Sequence, residues 1–342
     1  MYNGHHIPDR PFPAGALRLD TAAEATRIER FIATAVSRRL RRRGVVLGVS
    51  GGVDSAVCAT LAARALGPQR VLALLMPERH SSEEATERAL RLCRDLGVRH
   101  VVEDITESLE ALGCYHRAEE YIRQVFPDYG SGWRHKIVIG SGAEIPFFNL
   151  VVQSTDGIRQ TARMPPGVYL GVVAATNFKQ RVRKNLEYFH AEAANYAVLG
   201  TPNLLEYALG FFVRGGDGLA DLKPIAHLYK SQVYDLAAHL GVPEEIRSQP
   251  PSTDTYGLAQ TQEEFYFALP YGTADLLLFA DRNGISAEDA GAAVGLDAEQ
   301  VRRCWRDFMG KRLVAERNLG EALRVDGPLA ERGAGGPATV TR

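Results

Sequence analysis

Val45-Val46-Leu47 and Val71 to Met76 are unbroken apolar runs, and Val98 to Val102 reads as a third strand. Strands apolar on both faces lie inside a sheet covered on both sides. Helical patterns separate them, at 21–40, 54–67 and from Ser81-x-x-Glu84 to Gly97. Strands alternating with helices in this way call for a parallel sheet in an α/β fold. Thr21 and Glu24 form a capping box for the first helix, whose Ile28, Phe31, Ile32, Ala35 and Leu40 share one face. Arg41, Arg42 and Arg43 then read as a solvated helix end. The alternation resumes with a long helix near 176–195, a strand Ala197-Val198-Leu199 and a helix from about 203.

Between these halves, residues 106–173 change character. A short helical stretch near 116–125 precedes strands at Lys136–Ile139, Phe147–Gln153 and Ile158–Arg163, the last two joined across Ser154-Thr155-Asp156-Gly157. An antiparallel meander within a parallel α/β unit reads as an insertion, and Trp133, Phe147, Phe148 and Tyr169 give it more apolar surface than a bare loop needs. The expected organisation is a nucleotide-binding unit in two parts, 1–105 and 174–260, with the insertion between them. C-terminal helices follow over 261–325, near 261–283, 286–293 and 297–318, and then a loose tail over 326–342. Tyr229 to Leu240 is a further helix, ended by Gly241.

Composition removes several function classes. Lys and Arg number 40 against 41 Asp and Glu, a net charge of −1, which argues against a nucleic-acid partner. No apolar run approaches the roughly 20 residues of a membrane helix, and the first residues lack the order of a secretory signal. Cys58, Cys93, Cys114 and Cys304 form no C-x-x-C pair, so redox, zinc and iron–sulfur sites are not expected, and a reducing cytoplasm is. His5 and His6 read as solvated.

The chemistry concentrates in Gly48-Val49-Ser50-Gly51-Gly52-Val53-Asp54-Ser55, between the first strand and the next helix. Such a turn offers free backbone N–H groups and the positive end of a helix dipole to an anion. Ser50, Gly51 and Gly52 allow close approach, and Ser50 and Ser55 add hydroxyls. Asp54 would repel an anion unless a cation lay between them, so it reads as a Mg²⁺ ligand. The loop is neither a Walker A loop nor G-x-G-x-x-G. It resembles the PP-loop of the ATP pyrophosphatases, which hold the pyrophosphate of ATP while a nucleophile takes the AMP.

Six further segments narrow the resemblance. They are Leu75 to Ser82, Asn177 to Arg183, Gly200-Thr201-Pro202-Asn203-Leu204-Leu205-Glu206, Gly216-Asp217-Gly218 with Asp221, Leu228 to Val233, and Pro250 to Asp254. In this order they resemble the NAD synthetase family, over roughly 22–105 and 174–260. The resemblance implies an adenine nucleotide alpha hydrolase-like fold: a doubly wound parallel sheet, here with an inserted antiparallel β-meander and a helical C-terminal part. It implies that Glu206 partners Asp54 in holding Mg²⁺. Gly48, Ser50, Gly51, Gly52, Asp54, Ser55, Arg79, Thr201, Lys230 and Ser252 would meet ATP. Asn177 and Arg181 would face the second substrate, Asp217 would act beside the amide-forming centre, and Lys230 would meet the phosphates during reaction.

Two departures stand out. The family's G-T-x-N-[KR]-[ST]-E is G-T-P-N-L-L-E here, and more chain than the family pattern has precedes the Asn177 helix. Both fall near where the family holds deamido-NAD or makes its dimer. The implied reaction is adenylation of a carboxylate, that of deamido-NAD first, followed by displacement of AMP by ammonia. No glutaminase portion is seen, so free ammonia or a separate glutaminase would supply nitrogen. A homodimer is expected. A paralogue amidating another carboxylate is the alternative, and a nucleotide-binding regulator without turnover the third reading.

Overall fold

The computed structural model describes residues 12–13, 15–140, 147–251, 255–322 and 325. His5, His6, Ser252 and the expected tail lie outside the described residues. In chain order come α1 (Thr21–Thr34), β1 (Val45–Gly48), α2 (Val53–Leu66), β2 (Val71–Leu75), α3 (Glu83–Asp95) and β3 (Arg99–Val102). Then follow α4 (Thr106–Ala111), α5 (Cys114–Arg123), β4 (Arg134–Gly140), β5 (Phe147–Gln153), β6 (Arg159–Arg163), α6 (Pro166–Ala194) and β7 (Ala197–Val198). Short helices α7 (Leu204–Leu209) and α9 (Glu244–Arg247) flank α8 (Lys230–His239), and α10 (Tyr271–Asn283), α11 (Ala287–Val294) and α12 (Ala298–Leu319) close the described chain.

The first sheet has the order β3-β2-β1-β7, and all its pairings are parallel. Its pleat sends Val45, Leu47, Val71, Ala73 and Leu75 into one core with Ile28, Ile32, Val57 and Leu61 of α1 and α2. Val46, Leu72 and Leu74 go to the opposite face with Leu109, Tyr115 and Ala191 of α4, α5 and α6. The doubly wound arrangement follows from that two-sided burial. β3 differs from a buried strand. It is the sheet's edge, with one neighbour, and its Arg99, His100 and Val102 are exposed. Among the described residues no helix is long and apolar enough to cross a membrane. The four cysteines are free.

Several boundaries move for local reasons. The cap of α1 is Asp20, not Thr21: Asp20 has the extended backbone a cap needs and accepts from the Ala23 N–H at 3.0 Å. Glu24 instead binds Arg27 at 2.6 Å and His227 at 2.7 Å. The cap of α3 is Ser82, while Ser81 accepts from the Glu78 N–H at 3.1 Å. The long helix α6 begins at Pro166, well before 176. Pro166 occupies the first helical position, where a missing N–H costs nothing. Gly167 and Gly171 hide this start from propensity arguments. Gly171 is needed because a Cβ there would stand 2.4 Å from the Tyr121 ring of α5. The helix expected over 261–283 is broken: a π turn over Glu263–Phe267 ends at Ala268, and Pro270 precedes α10.

The second sheet, β4-β5-β6, is an antiparallel meander. It closes a core of its own with α5, the start of α6 and the segment after 255, through Ile122, Ile137, Leu150, Val168, Val172 and Tyr256. The C-terminal helices form a fourth core, and Leu204 and Leu205 are buried in it beside Leu277, Leu278 and Phe308. The two leucines that depart from the family pattern are therefore packing residues between α7 and the C-terminal helices.

Candidate active site

The loop after β1 opens a cleft of about 750 Å³ at the carboxyl end of the parallel sheet, where ligands bind in such folds. Gly51 has φ +82°, and a Cβ there would lie 2.2 Å from the Ala85 carbonyl oxygen of α3. Glycine is thus required twice, by conformation and by space. The Ser50 and Ser55 hydroxyls lie 3.2 Å apart, and Ser50 Oγ accepts from the Gly52 N–H at 3.3 Å. These bonds hold the loop open at the N-terminus of α2, where the dipole favours an anion.

Across the cleft, Asn203 caps α7 and exchanges bonds with Glu206 at 3.1 Å in both directions. Its amide donates to Asp54 Oδ1 at 3.2 Å. Lys230, the first residue of α8 and only 1% exposed, pairs with Asp54 Oδ2. Asp275 fixes that helix start by accepting from the N–H groups of Lys230 and Ser231, at 3.2 and 2.7 Å. Burial and then the charge of Asp54 push the Glu206 carboxyl up to about 8, against the pull of Lys230. Burial alone would lower the Lys230 ammonium, but Asp54 and Glu206 hold it above its ordinary value. Asp217 accepts from the Val213 N–H at 2.8 Å, and burial raises its carboxyl.

The structure thus brings Gly48, Ser50, Gly51, Gly52, Asp54, Ser55, Thr201, Glu206, Asp217 and Lys230 to one cleft. It does not bring Arg79, Asn177 or Arg181 there. Arg79 pairs with Glu110 and lies 4.1 Å from the centre of the Tyr115 ring, in a second cavity. Asn177 and Arg181 face neither cavity, and Arg181 donates to the Arg214 carbonyl at 3.2 Å. The stripe of α6 that reaches the cleft is Gln180, Arg183, Lys184 and Glu187. Arg183 donates to the Met76 carbonyl at 3.1 Å, and Lys184 pairs with Glu187 at 2.6 Å, both of that pair buried. Helical spacing marks these four as one face; it does not say which face of α6 meets the ligand.

The second cavity, about 510 Å³, shares His80, Arg134 and Tyr256 with the cleft. At its floor Lys179 binds Glu78 at 2.8 Å, His80 Nδ1 at 3.0 Å and the Thr255 carbonyl at 2.6 Å. The Tyr115 hydroxyl donates to Glu78 at 2.8 Å. Burial, then Lys179, lowers His80 to about 4, and burial, then His80, lowers His135 to about 3.

A family model described as NAD synthase matches residues 24–125 and 151–310 and leaves 126–150 unmatched. The chain is 56% identical over 304 residues to an NH(3)-dependent NAD(+) synthetase of Rhizobium meliloti, covering 88% of this chain and 91% of that protein. Its fold is similar to an NH3-dependent NAD synthetase from Campylobacter jejuni solved with nitrate, at 26% identity and a TM-score of 0.59, covering 90% of this chain and 100% of the other. An NMN synthetase from Francisella tularensis, at 22% identity and a TM-score of 0.62, covers 90% of this chain and 99% of its own and shares the fold.

Proposed function

The chain belongs to the NAD synthase family, and from that premise we propose that it joins ammonia to the nicotinate carboxylate of deamido-NAD, using ATP, to give NAD. The observation that carries this reading is the grouping of half-buried Asp54 with buried Glu206 and Lys230 against the phosphate loop. A carboxylate does not lose its oxygen to ammonia unaided. In the first step the substrate carboxylate attacks the α-phosphorus of ATP, and pyrophosphate leaves. In the second, ammonia attacks the acyl carbon, AMP departs with the bonding pair, and nitrogen loses a proton.

Each step has residues suited to it. The loop amides and the Ser50 and Ser55 hydroxyls hold the departing pyrophosphate. Lys230 offsets the charge that grows on it. Asp217 offers an acceptor to the N–H groups of incoming ammonia. Asp54 and Glu206 are hard oxygen donors that repel each other, which suits a divalent cation. Among the described residues no third acid joins them, so these two would hold Mg²⁺ and leave the rest of its coordination open. Bound there, Mg²⁺ supplies charge neutralisation to the triphosphate. Leu170, 65% exposed, lies on the stripe of α6 that also bears the half-buried Asn177 and Arg181. A homodimer formed on that face would bring Asn177 and Arg181 against a second copy. Four free cysteines, three of them buried, suit a cytoplasmic setting.

The test is pyrophosphate release from ATP with and without deamido-NAD and ammonium. Release that depends on deamido-NAD, with amide that depends on ammonium, is expected. Release with a different carboxylate only would move the chain to the paralogue reading. In the same assay, Asp217→Asn should lower amide formation at least about 10-fold while pyrophosphate release persists in part. If both products fall in proportion, Asp217 serves adenylation or the fold instead.

A further inference from the structure

Residues 126–150, which the family model leaves unmatched, contain β4, and β4 is docked on the segment that walls the nucleotide cleft. The Leu258 N–H donates to the His135 carbonyl at 3.3 Å, Lys136 binds Glu264 at 2.6 Å and the Ala259 carbonyl at 3.3 Å, and Gln260 donates to the Ile137 carbonyl. His135 and Ile137 are buried, with Tyr129 holding His135 Nδ1 at 2.8 Å. The strand's period of two then turns Arg134 and Lys136 to the other face. Lys136 is paired. Among the described residues the Arg134 side chain has no hydrogen bond or ion pair, yet it lines both the cleft and the second cavity. Its charge is felt at that wall, where it helps to lower His80. Arg79, by contrast, is committed to Glu110 and Tyr115.

We propose that Arg134 is a nucleotide-anchoring residue supplied to the cleft by the added segment, with its guanidinium pairing with the phosphate chain of bound ATP. The proposal rests on the reading that this cleft binds ATP. A guanidinium presents a planar fork of donors that matches phosphate oxygens, and it stays charged at every working pH. Arg134 is itself exposed, but its backbone lies on a strand tied to 258–260 through the His135 and Ile137 carbonyls, so the guanidinium reaches the cleft from a fixed point.

The experiment is ATP titration by calorimetry, without the carboxylate substrate, on the full chain and on Arg134→Ala and Arg134→Lys, joined to steady-state kinetics with each substrate varied. For Arg134→Ala, ATP affinity should weaken about 10-fold and KM for ATP should rise alike, with kcat and KM for the carboxylate within about twofold. Arg134→Lys should recover part of the loss, and added salt should narrow the gap between the full chain and Arg134→Ala. ATP affinity unchanged within twofold overturns the proposal. So does a parallel rise in both KM values with a lowered Tm, which marks a structural role. If the full chain binds ATP but does not turn over deamido-NAD, the amidation reading fails while the titration still decides Arg134. If it binds no ATP, both fall.

Discussion

Replacing Asp54 with alanine is expected to lower both pyrophosphate release and amide formation at least about 10²-fold. Asp54 sits where three demands meet: Lys230 pairs with it, Asn203 donates to it, and the phosphate loop begins helix α2 beside it. Without it the almost fully buried Lys230 ammonium loses its partner, and the carboxylate pair proposed to hold the cation loses one member. Glu206→Ala should cost as much, but it also removes half of the α7 capping box. Glu206→Gln is therefore the cleaner variant, because an amide oxygen can still accept from Asn203 while the charge is gone. Turnover near normal in Asp54→Ala or Glu206→Gln would overturn the assignment of this pair.

Gly51→Ala is the second large effect expected. A non-glycine residue at φ +82° carries roughly 1–2 kcal/mol of strain. The added Cβ would also meet the Ala85 carbonyl oxygen at 2.2 Å, a backbone atom of α3 that no rotamer change can move. The loop or α3 must shift, and the turn that presents its amides to phosphate moves with it. We expect Tm to fall and ATP affinity by calorimetry to drop at least about 10-fold. Wild-type affinity in a folded Gly51→Ala protein would show that this turn does not shape the phosphate site.

The phosphate loop was legible because its glycines, hydroxyls and acid are contiguous, and a strand and a helix bracket them. Glu206 and Lys230 needed the family resemblance, since no local rule links residues so far apart in sequence. The face of α6 was not legible. Phe178, Val182 and Leu186 pack toward the sheet, polar residues lie on both flanks, and periodicity alone cannot choose between the stripe of Asn177 and Arg181 and that of Gln180, Arg183, Lys184 and Glu187. Leu204 and Leu205 read as changes near the substrate, whereas their surroundings are α10 and α12. Arg134 was beyond any sequence argument, because its place depends on β4 docking against a segment more than a hundred residues later.

Helix α6 is 29 residues long and unbroken. Its first turns carry Val168 and Val172 of the meander core, and its last carry Ala191 of the core beneath the parallel sheet. A helix this long spans roughly 44 Å at 1.5 Å per residue, and its hydrogen-bond ladder makes it one beam shared by two sheets. The meander cannot melt by itself without unravelling the end of that beam, and the loss would run toward Lys179 and the cleft-lining turns. Heating the protein should accordingly give a single cooperative transition by circular dichroism and, in a Trp305→Phe variant, by Trp133 fluorescence together. The antiparallel sheet would then share one stability with the nucleotide fold, so that substitutions in its core change how much active enzyme survives at a given temperature even where they touch no substrate.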